Sequence, residues 1–515
     1  MPILEPRWTE RSIPSSGRDP LGMQATSVRI YRTLVPGLTN VTNRLRYYSF
    51  YCWVVTRWGT DKHADHTQGW RSFIRRAEAL YAMASLVADA DTSGGMAGRE
   101  WAEKAESSLA GAEYLDLVVH DDPESDASYL GAKSGNFGQF YVASMLESGL
   151  LRESRGVPLI DDNGRTMAAA FAASSGAAAD VFVQAVIDGR ARVTDLKPFG
   201  ETMGPGAISG GSEEMKLLRD FLGGEVGGHR AAARRSSAWL LLDYMRSGNS
   251  KFDENRFRET IYRGFLPDGA GYNPAGETAE RWRAYEANEL CHAAMASLFN
   301  GLMLKLEGQF PIGAEPDQLL TAFIGPIAAE LGAEAETWRE WVTRDAKGRV
   351  GEEHELAGLI SSCLSKEADG AKDSAVLAGA VRLLGVLWAR WVDTGNVIDI
   401  VKRHAGNSGR SISAVLATLS AEENTPLTNA LAKVIHTHVI DGHTVVAGRK
   451  LISSGRDTYH FMTANGRISN GKWRPYLYTS PRINNLARFL ADAQMHDGQQ
   501  PTAEGLKFLE NHEAA

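Results

Sequence analysis

The chain has 515 residues, 43% hydrophobic and 23% charged, the balance of an ordinary globular protein and not of a disordered, collagen-like or membrane-embedded one. A net charge of −8 excludes a uniformly basic nucleic-acid coat but leaves room for a local basic face. Three widely spaced cysteines, Cys52, Cys291 and Cys363, fit neither a disulfide framework nor a paired-cysteine metal ribbon, so a reducing cytoplasm is the expected compartment. The first residues, MPILEPRWTERSIPSSGRD, carry charge where a signal peptide needs an apolar run. The most apolar stretch, Val376 to Val392, is interrupted by Arg382 and Arg390 and falls short of the ~20 residues of a bilayer crossing, so no membrane partner is expected.

In chain order, Thr39 or Asn40 is placed to cap a helix whose stripe is Val41, Leu45, Tyr48, Cys52 and Val55. A second helix is expected from about Trp70 to Val87, ended by ADADTSGGMAG. Between 136 and 173 the order reads helix, short strand, turn, helix, the outline of a winged-helix-like segment. Residues 201–213, rich in Gly and Ser, read as a linker. Helices follow through Met215–Phe221, Ala238–Tyr244, Trp282–Leu306, 317–343 and 374–393, then to about residue 420. Asn465-Gly466 sits between strand-like runs as a hairpin turn, and Thr502 is placed to cap a last helix.

The fold class is therefore mainly α and multidomain, with small α/β winged-helix-like modules and a C-terminal β-hairpin. The expected divisions are a basic, aromatic-rich helical region at 1–90, a helical region with the winged-helix-like segment at 91–200, the linker at 201–213, a helical domain at 214–424, and a C-terminal helix, hairpin and winged-helix-like module at 425–515.

Chemical motifs are sparse. Glu286, Glu289 and His292 contain one Glu-x-x-His pair, which sets a carboxylate and an imidazole on one helical face, but a di-iron bundle needs a second copy and none is present. His436, His438 and His443 could converge on zinc if their segment were strand and loop, and diverge if it is helix. The acidic loop His120 to Asp126 reads as solvated. GRISNGKW, from Gly466 to Trp473, has P-loop spacing but puts Trp473 where a magnesium-binding hydroxyl belongs, and Pro475 follows. Glu213 to Lys216 carries a nuclease-like Glu-x-Lys without a strand before it. No cofactor is expected.

Charge is more telling. Residues 1–80 hold 12 Lys and Arg against 6 Asp and Glu, and residues 426–510 hold 10 against 6, so two basic ends flank an acidic middle. At the first end Arg29, Arg32, Arg44 and Arg46 interleave with tyrosines including Tyr47, a mixture suited to phosphate contacts and base stacking and equally to arginines bridging an aromatic core. At the second, Arg449, Lys450, Arg456 and Arg467 surround the hairpin.

The phrases DPLGMQATSVRIYRTLVPGLTNVTNRLRYYSFYCWVV, RWRAYEANELCHAAM and VAGRKLISSGRDTYHFM together resemble uncharacterised bacterial proteins of genome-defence gene neighbourhoods. That resemblance implies a cytoplasmic component working with the partner proteins of a defence operon against phage or plasmid DNA. The expectation is a non-enzymatic component that binds DNA or RNA or scaffolds its partners. The alternatives are a metal-dependent nuclease or hydrolase assembled from scattered residues such as Glu286, Glu289 and His292, and a sensor of a phage protein.

Overall fold

The computed structural model describes residues 19–60, 67–88, 95–154, 157–226, 230–248, 251–406, 409–476 and 478–512. The charged N-terminal stretch and part of ADADTSGGMAG lie outside these. The chain is mainly helical, 66% helix against 5% strand, and forms two compact units of discontinuous sequence. Unit 1 takes residues 1–32 and 258–479, and unit 2 takes 33–257 and 480–515.

Unit 2 is built around the helix Tyr47–Thr60. Its Tyr47, Tyr48, Phe50, Tyr51, Trp53 and Val54 are all buried, so this helix is enclosed on every side and its order comes from packing more than from the modest helix propensity of aromatic residues. Phe50 stacks on Tyr81 with centroids 4.1 Å apart, and Tyr47 stacks on Tyr51 at 5.4 Å; such pairs contribute about 0.5–1.5 kcal/mol beyond area burial. The three phenols of this helix find partners: Tyr48 donates to Gly37 O at 2.7 Å, Tyr51 donates to Glu78 Oε1 at 3.0 Å, and Tyr47 accepts from Ala97 N at 3.2 Å. The helix begins later than its apolar stripe suggests, because Thr42 N turns back to Thr39 O and Val41 is exposed.

The expected second helix is observed as Thr67–Ala88. Helix Val193–Met203 lies close along it: a Cβ at Gly200 would overlap the Ala84 carbonyl oxygen, so only glycine permits that approach. Residues 136–173 follow the expected order, with a helical run over Phe137–Tyr141 and Val142–Glu147, the pair Leu151–Ser154 and Val157–Ile160, and helix Asp162–Ser175.

The presumed linker at 201–213 is instead held inside unit 2 by a buried ion pair. Arg46 (1% exposed) reaches Glu214 (0%) through two hydrogen bonds of 3.0 Å. Its remaining donors go to Thr202 O at 3.0 Å and Gly204 O at 2.8 Å, and Ser49 donates to Glu214 at 2.6 Å. Ser212 caps helix Glu213–Leu222 through Met215 N. Small polar residues here serve close backbone approach and capping, which composition cannot distinguish from flexibility.

Unit 1 is organised by the helix Glu277–Gln309, 33 residues long and buried over most of its length. Helices Pro316–Leu331, Ser374–Trp391 and Gly395–Ala405 pack against it. At Gly301 an added Cβ would stand about 3 Å from both Leu377 and Phe323. Ser374–Trp391 is, among the described residues, the one straight helix long and apolar enough to cross a membrane, and most of it is buried; Arg382 pairs with Asp345 and Arg390 with Glu353. The stretch expected as one helix over 317–343 divides, and a new start at Thr337 is fixed by a capping box with Glu340.

The expected hairpin is present as Met462–Ala464 against Arg467–Ser469. Asn465 and Gly466 both take positive φ, 52° and 72°, as a type I′ turn requires. The last helices, Ile483–Asp492 and Ala503–Asn511, belong to unit 2, whereas the hairpin belongs to unit 1. The expected single module at 425–515 is therefore split, and no strand pair occurs among the described residues after 480. Thr502 does cap the last helix, through Gly505 N.

Replacing Arg46 by methionine strands the Glu214 carboxylate in the interior and is expected to cost about 3–5 kcal/mol. The double change Arg46→Met with Glu214→Met should recover most of that loss. Urea unfolding followed by tryptophan fluorescence compares the two; equal losses would show that the pair is not the source.

Candidate nucleic-acid interface

The nine basic-end residues separate into two groups. Arg44, Arg46 and Tyr47 belong to unit 2 and serve its interior: Arg44 grips Asp492 at 3.0 Å, Arg46 is locked to Glu214, and Tyr47 lies in the aromatic core. Arg46 and Tyr47 therefore present nothing to a nucleic acid, because both side chains are buried, Arg46 with four hydrogen bonds to its own unit. Arg29, Arg32, Arg449, Lys450, Arg456 and Arg467 belong to unit 1. Of these Arg467 is half-buried and donates to Gly313 O at 2.5 Å, bracing the hairpin.

The remaining five are gathered by contacts between the two ends of the sequence. Helix Gln24–Leu34 turns Ile30, Tyr31 and Leu34 inward and leaves Arg29 and Arg32 exposed. Arg29 Nη1 donates to His404 O at 3.1 Å and Ala405 O at 2.7 Å, satisfying orphan carbonyls at the end of helix Gly395–Ala405. One turn earlier, the Thr26 hydroxyl donates to Arg410 O at 2.8 Å. Residues 19–23 lie against helix Asp441–Ser454: His443 bonds Pro20 O at 3.0 Å, and Lys450 donates to Asp19 O at 3.0 Å. Arg449 and Arg456 are exposed, the latter just beyond a left-handed Gly455 that ends the helix.

Arg410 is the residue that sequence reading missed. It follows the Gly406–Gly409 connector, and a basic residue after a short Gly/Ser loop between two helices was the available signal.

The histidine segment is helical, with a π-helical stretch at Ile435–Ile440. His443 Nε2 accepts from His460 N at 2.8 Å, so Nδ1 carries the proton that goes to Pro20 O, and neither nitrogen has a lone pair for a metal. His438 is bonded to the Thr418 hydroxyl at 2.8 Å, and His436 to Asp441 at 3.2 Å. The zinc alternative is not realised.

Glu286, Glu289 and His292 are all buried on the long helix and take separate partners. Glu286 accepts from Arg258 Nε at 2.7 Å and His354 Nε2 at 3.0 Å. Burial would raise its pKa, but Arg258 and His354 hold it at about 2. Glu289 accepts from Thr479 N at 2.9 Å, and burial pushes it up to about 7. His292 Nδ1 meets the Tyr476 hydroxyl at 3.1 Å, and its Nε2 stands 3.8 Å from Asp19 Oδ1; burial holds it down at about 4. Among the described residues no three such side chains are placed to hold a metal ion. The Glu-x-Lys candidate also has a structural partner, since Glu214 binds Arg46. In the acidic loop, Asp121 pairs with Arg76 at 2.6 Å.

An open cavity of about 720 Å³ in unit 1 is lined by Asn273, Glu280, Arg283 and Trp391. Its Arg283 is already engaged by Glu280 at 2.8 Å and Ile261 O at 3.1 Å.

Four histidines of unit 1, His292, His438, His443 and His460, are held by burial at about 4. Their folded pKa lies below the unfolded value, so the stability they protect is complete above about pH 6.5 and is lost as pH falls toward 4. Glu289 acts in the opposite sense between about 4.5 and 7 but is one group against four. Protection of unit 1 amides against hydrogen exchange, corrected for intrinsic rate, should fall from pH 7 to pH 5, more steeply in Glu289→Gln; a flat profile would contradict it. Compared with protein-family models, curated proteins and solved structures, the chain matches none.

Proposed function

We propose that the chain binds nucleic acid through the basic face of unit 1, as a component of a bacterial defence complex of the kind its sequence resembles. The observation that carries this reading is the meeting of the two basic ends of the sequence: Arg29 and Arg32 on one helix, Arg449 and Arg456 at another, with Arg410 between the segments that join them. Cations gathered from positions over 400 residues apart, with Arg29, Arg32, Arg449 and Arg456 in no ion pair among the described residues, make a local field suited to a phosphate backbone. Phosphate contact of this kind positions a duplex or single strand without reading its sequence. Winged-helix character of residues 136–173 is part of the proposal only as an outline of helix, hairpin and helix.

A second reading, docking of a partner protein, is favoured by the same helix and the hairpin after it: Ile452 is 90% exposed, Val445 and Leu451 on the helix are open, and so is Met462 in the hairpin. Apolar side chains of this size in the open suit a protein surface better than a phosphate backbone.

Fluorescence anisotropy with labelled DNA and RNA across a salt series tests the proposal. The wild type should bind at micromolar concentration in low salt and weaken steeply as salt rises. Arg29→Glu with Arg32→Glu, and separately Arg449→Glu with Arg456→Glu, should each weaken binding by about tenfold or more. Lys216→Glu, exposed in unit 2, should leave it unchanged. Absence of binding below about 10 μM at low salt overturns the nucleic-acid role and leaves the docking role.

A further inference from the structure

In unit 1 an open phenylalanine ring lines one of two neighbouring cavities. Phe265 is 57% exposed, although its loop is braced: Tyr272 N donates to Gly264 O and Leu266 N to Ala270 O, both at 2.8 Å, and Leu266 and Tyr272 are buried. Between those bonds Phe265 and Gly271 pair as a backbone bridge, so the ring is kept in the open by a fixed backbone. With Tyr262, Gly271, Asn273 and Trp391 it lines a cavity of about 430 Å³. The cavity of about 720 Å³ shares Asn273, Arg283 and Trp391 with it, and both have the volume of a small-ligand site.

The walls of these cavities call for an uncharged group. Every guanidinium on them already has a carboxylate: Arg283 pairs with Glu280 at 2.8 Å, Arg390 with Glu353 at 2.6 Å and Arg263 with Glu259 at 2.6 Å. Asp393 adds a negative charge to the larger cavity, so a phosphate gains nothing there. What the walls offer is a ring face and an amide. Asn273 Oδ1 accepts from Arg283 Nη2, which fixes the amide because an arginine only donates, and leaves Nδ2 without a partner among the described residues. A planar group with acceptors on its edge uses both features, and a nucleobase is such a group. Helix Gly395–Ala405 joins this place to the basic face. Its first residues Gly395, Asn396 and Val397 line the larger cavity, and at its other end His404 O and Ala405 O accept from Arg29. At the rise of an α-helix the two ends are about 15 Å apart, the reach of a few nucleotides of one strand.

We propose that the cavities at Phe265 and Asn273 take an unpaired base of a single strand, stacked on Phe265, while the phosphates of the same strand lie along the basic face. The inference rests on the nucleic-acid reading and narrows its ligand to single-stranded DNA or RNA. A duplex keeps its bases paired and stacked on one another and yields one only at the cost of opening. Stacking on a ring is tolerant of sequence, because every base has a π-face.

The test uses the full chain and labelled oligonucleotides of one sequence, single-stranded and duplex, across a salt series. The wild type should bind the single strand more tightly than the duplex. Phe265→Ala should weaken single-strand binding about tenfold at an unchanged salt slope, because no cation is removed, and should lose the preference over duplex. Phe265→Tyr, which keeps the ring, should restore both the affinity and the preference. A wild type that prefers duplex, or single-strand affinity unchanged in Phe265→Ala, overturns the base site; if Arg29→Glu with Arg32→Glu still weakens binding, the nucleic-acid reading stands without it. A single-strand loss in Phe265→Ala that Phe265→Tyr fails to restore also overturns it. No binding of either oligonucleotide overturns both readings.

Discussion

The amide of Asn288 is the interaction on which the candidate site depends. It is fully buried in the long helix of unit 1. Its nitrogen donates to Met23 O at 3.2 Å and Ser27 Oγ at 2.8 Å, and its oxygen accepts from Ile412 N at 3.0 Å. One side chain thereby ties the start of the N-terminal helix to the segment that carries Arg410. An unpartnered buried amide costs about 1–3 kcal/mol, so both segments are held to it by the penalty of leaving it unmet. The positions of Arg29 and Arg410 follow from that anchor.

The same constraint explains the polar residues along the rest of this helix. A helix enclosed on all sides must provide for every polar group it carries. Asn300 donates to Cys363 O and Arg474 O, Ser297 returns to Ala293 O, and Glu286 is held by Arg258 and His354. What looks in one dimension like a metal-binding helix face is in three dimensions a set of separate ties to different neighbours. Glu289 and His292 are each displaced by burial toward the uncharged form, which lessens the cost of holding them in the interior.

Both units meet their buried cations with carboxylates and backbone carbonyls: in unit 1 Arg258 binds Glu286 and Arg283 donates to Ile261 O and Pro274 O. In unit 2, Arg234 makes no ion pair among the described residues but donates to Phe221 O, Val226 O and Pro36 O and lies over the Phe221 ring at 4.1 Å. Burial depresses its pKa to about 10, yet backbone carbonyls take up its donors. A guanidinium dressed by carbonyls in this way is a structural staple. In unit 1, Arg410 Nε is buried without a hydrogen-bond partner among the described residues.

Sequence by itself determined the helical class, the long helix near 282–306, the type I′ hairpin at Asn465-Gly466 and the cap at Thr502, because each rests on local periodicity or on one backbone angle. It also located two basic ends. It did not separate arginines that bridge a core from arginines that face solvent: Arg46 and Arg449 have equally basic surroundings in one dimension, and only the position of Glu214 decides that Arg46 is interior. Nor did composition reveal that the Gly/Ser stretch at 201–213 is pinned by Arg46, or that the units are assembled from discontinuous pieces, since both depend on contacts between residues more than 150 positions apart. Tertiary structure alone brought Pro20 to His443 and Thr26 to Arg410, because the hydrogen bonds that join them link one donor to one acceptor and leave no periodic trace in the chain.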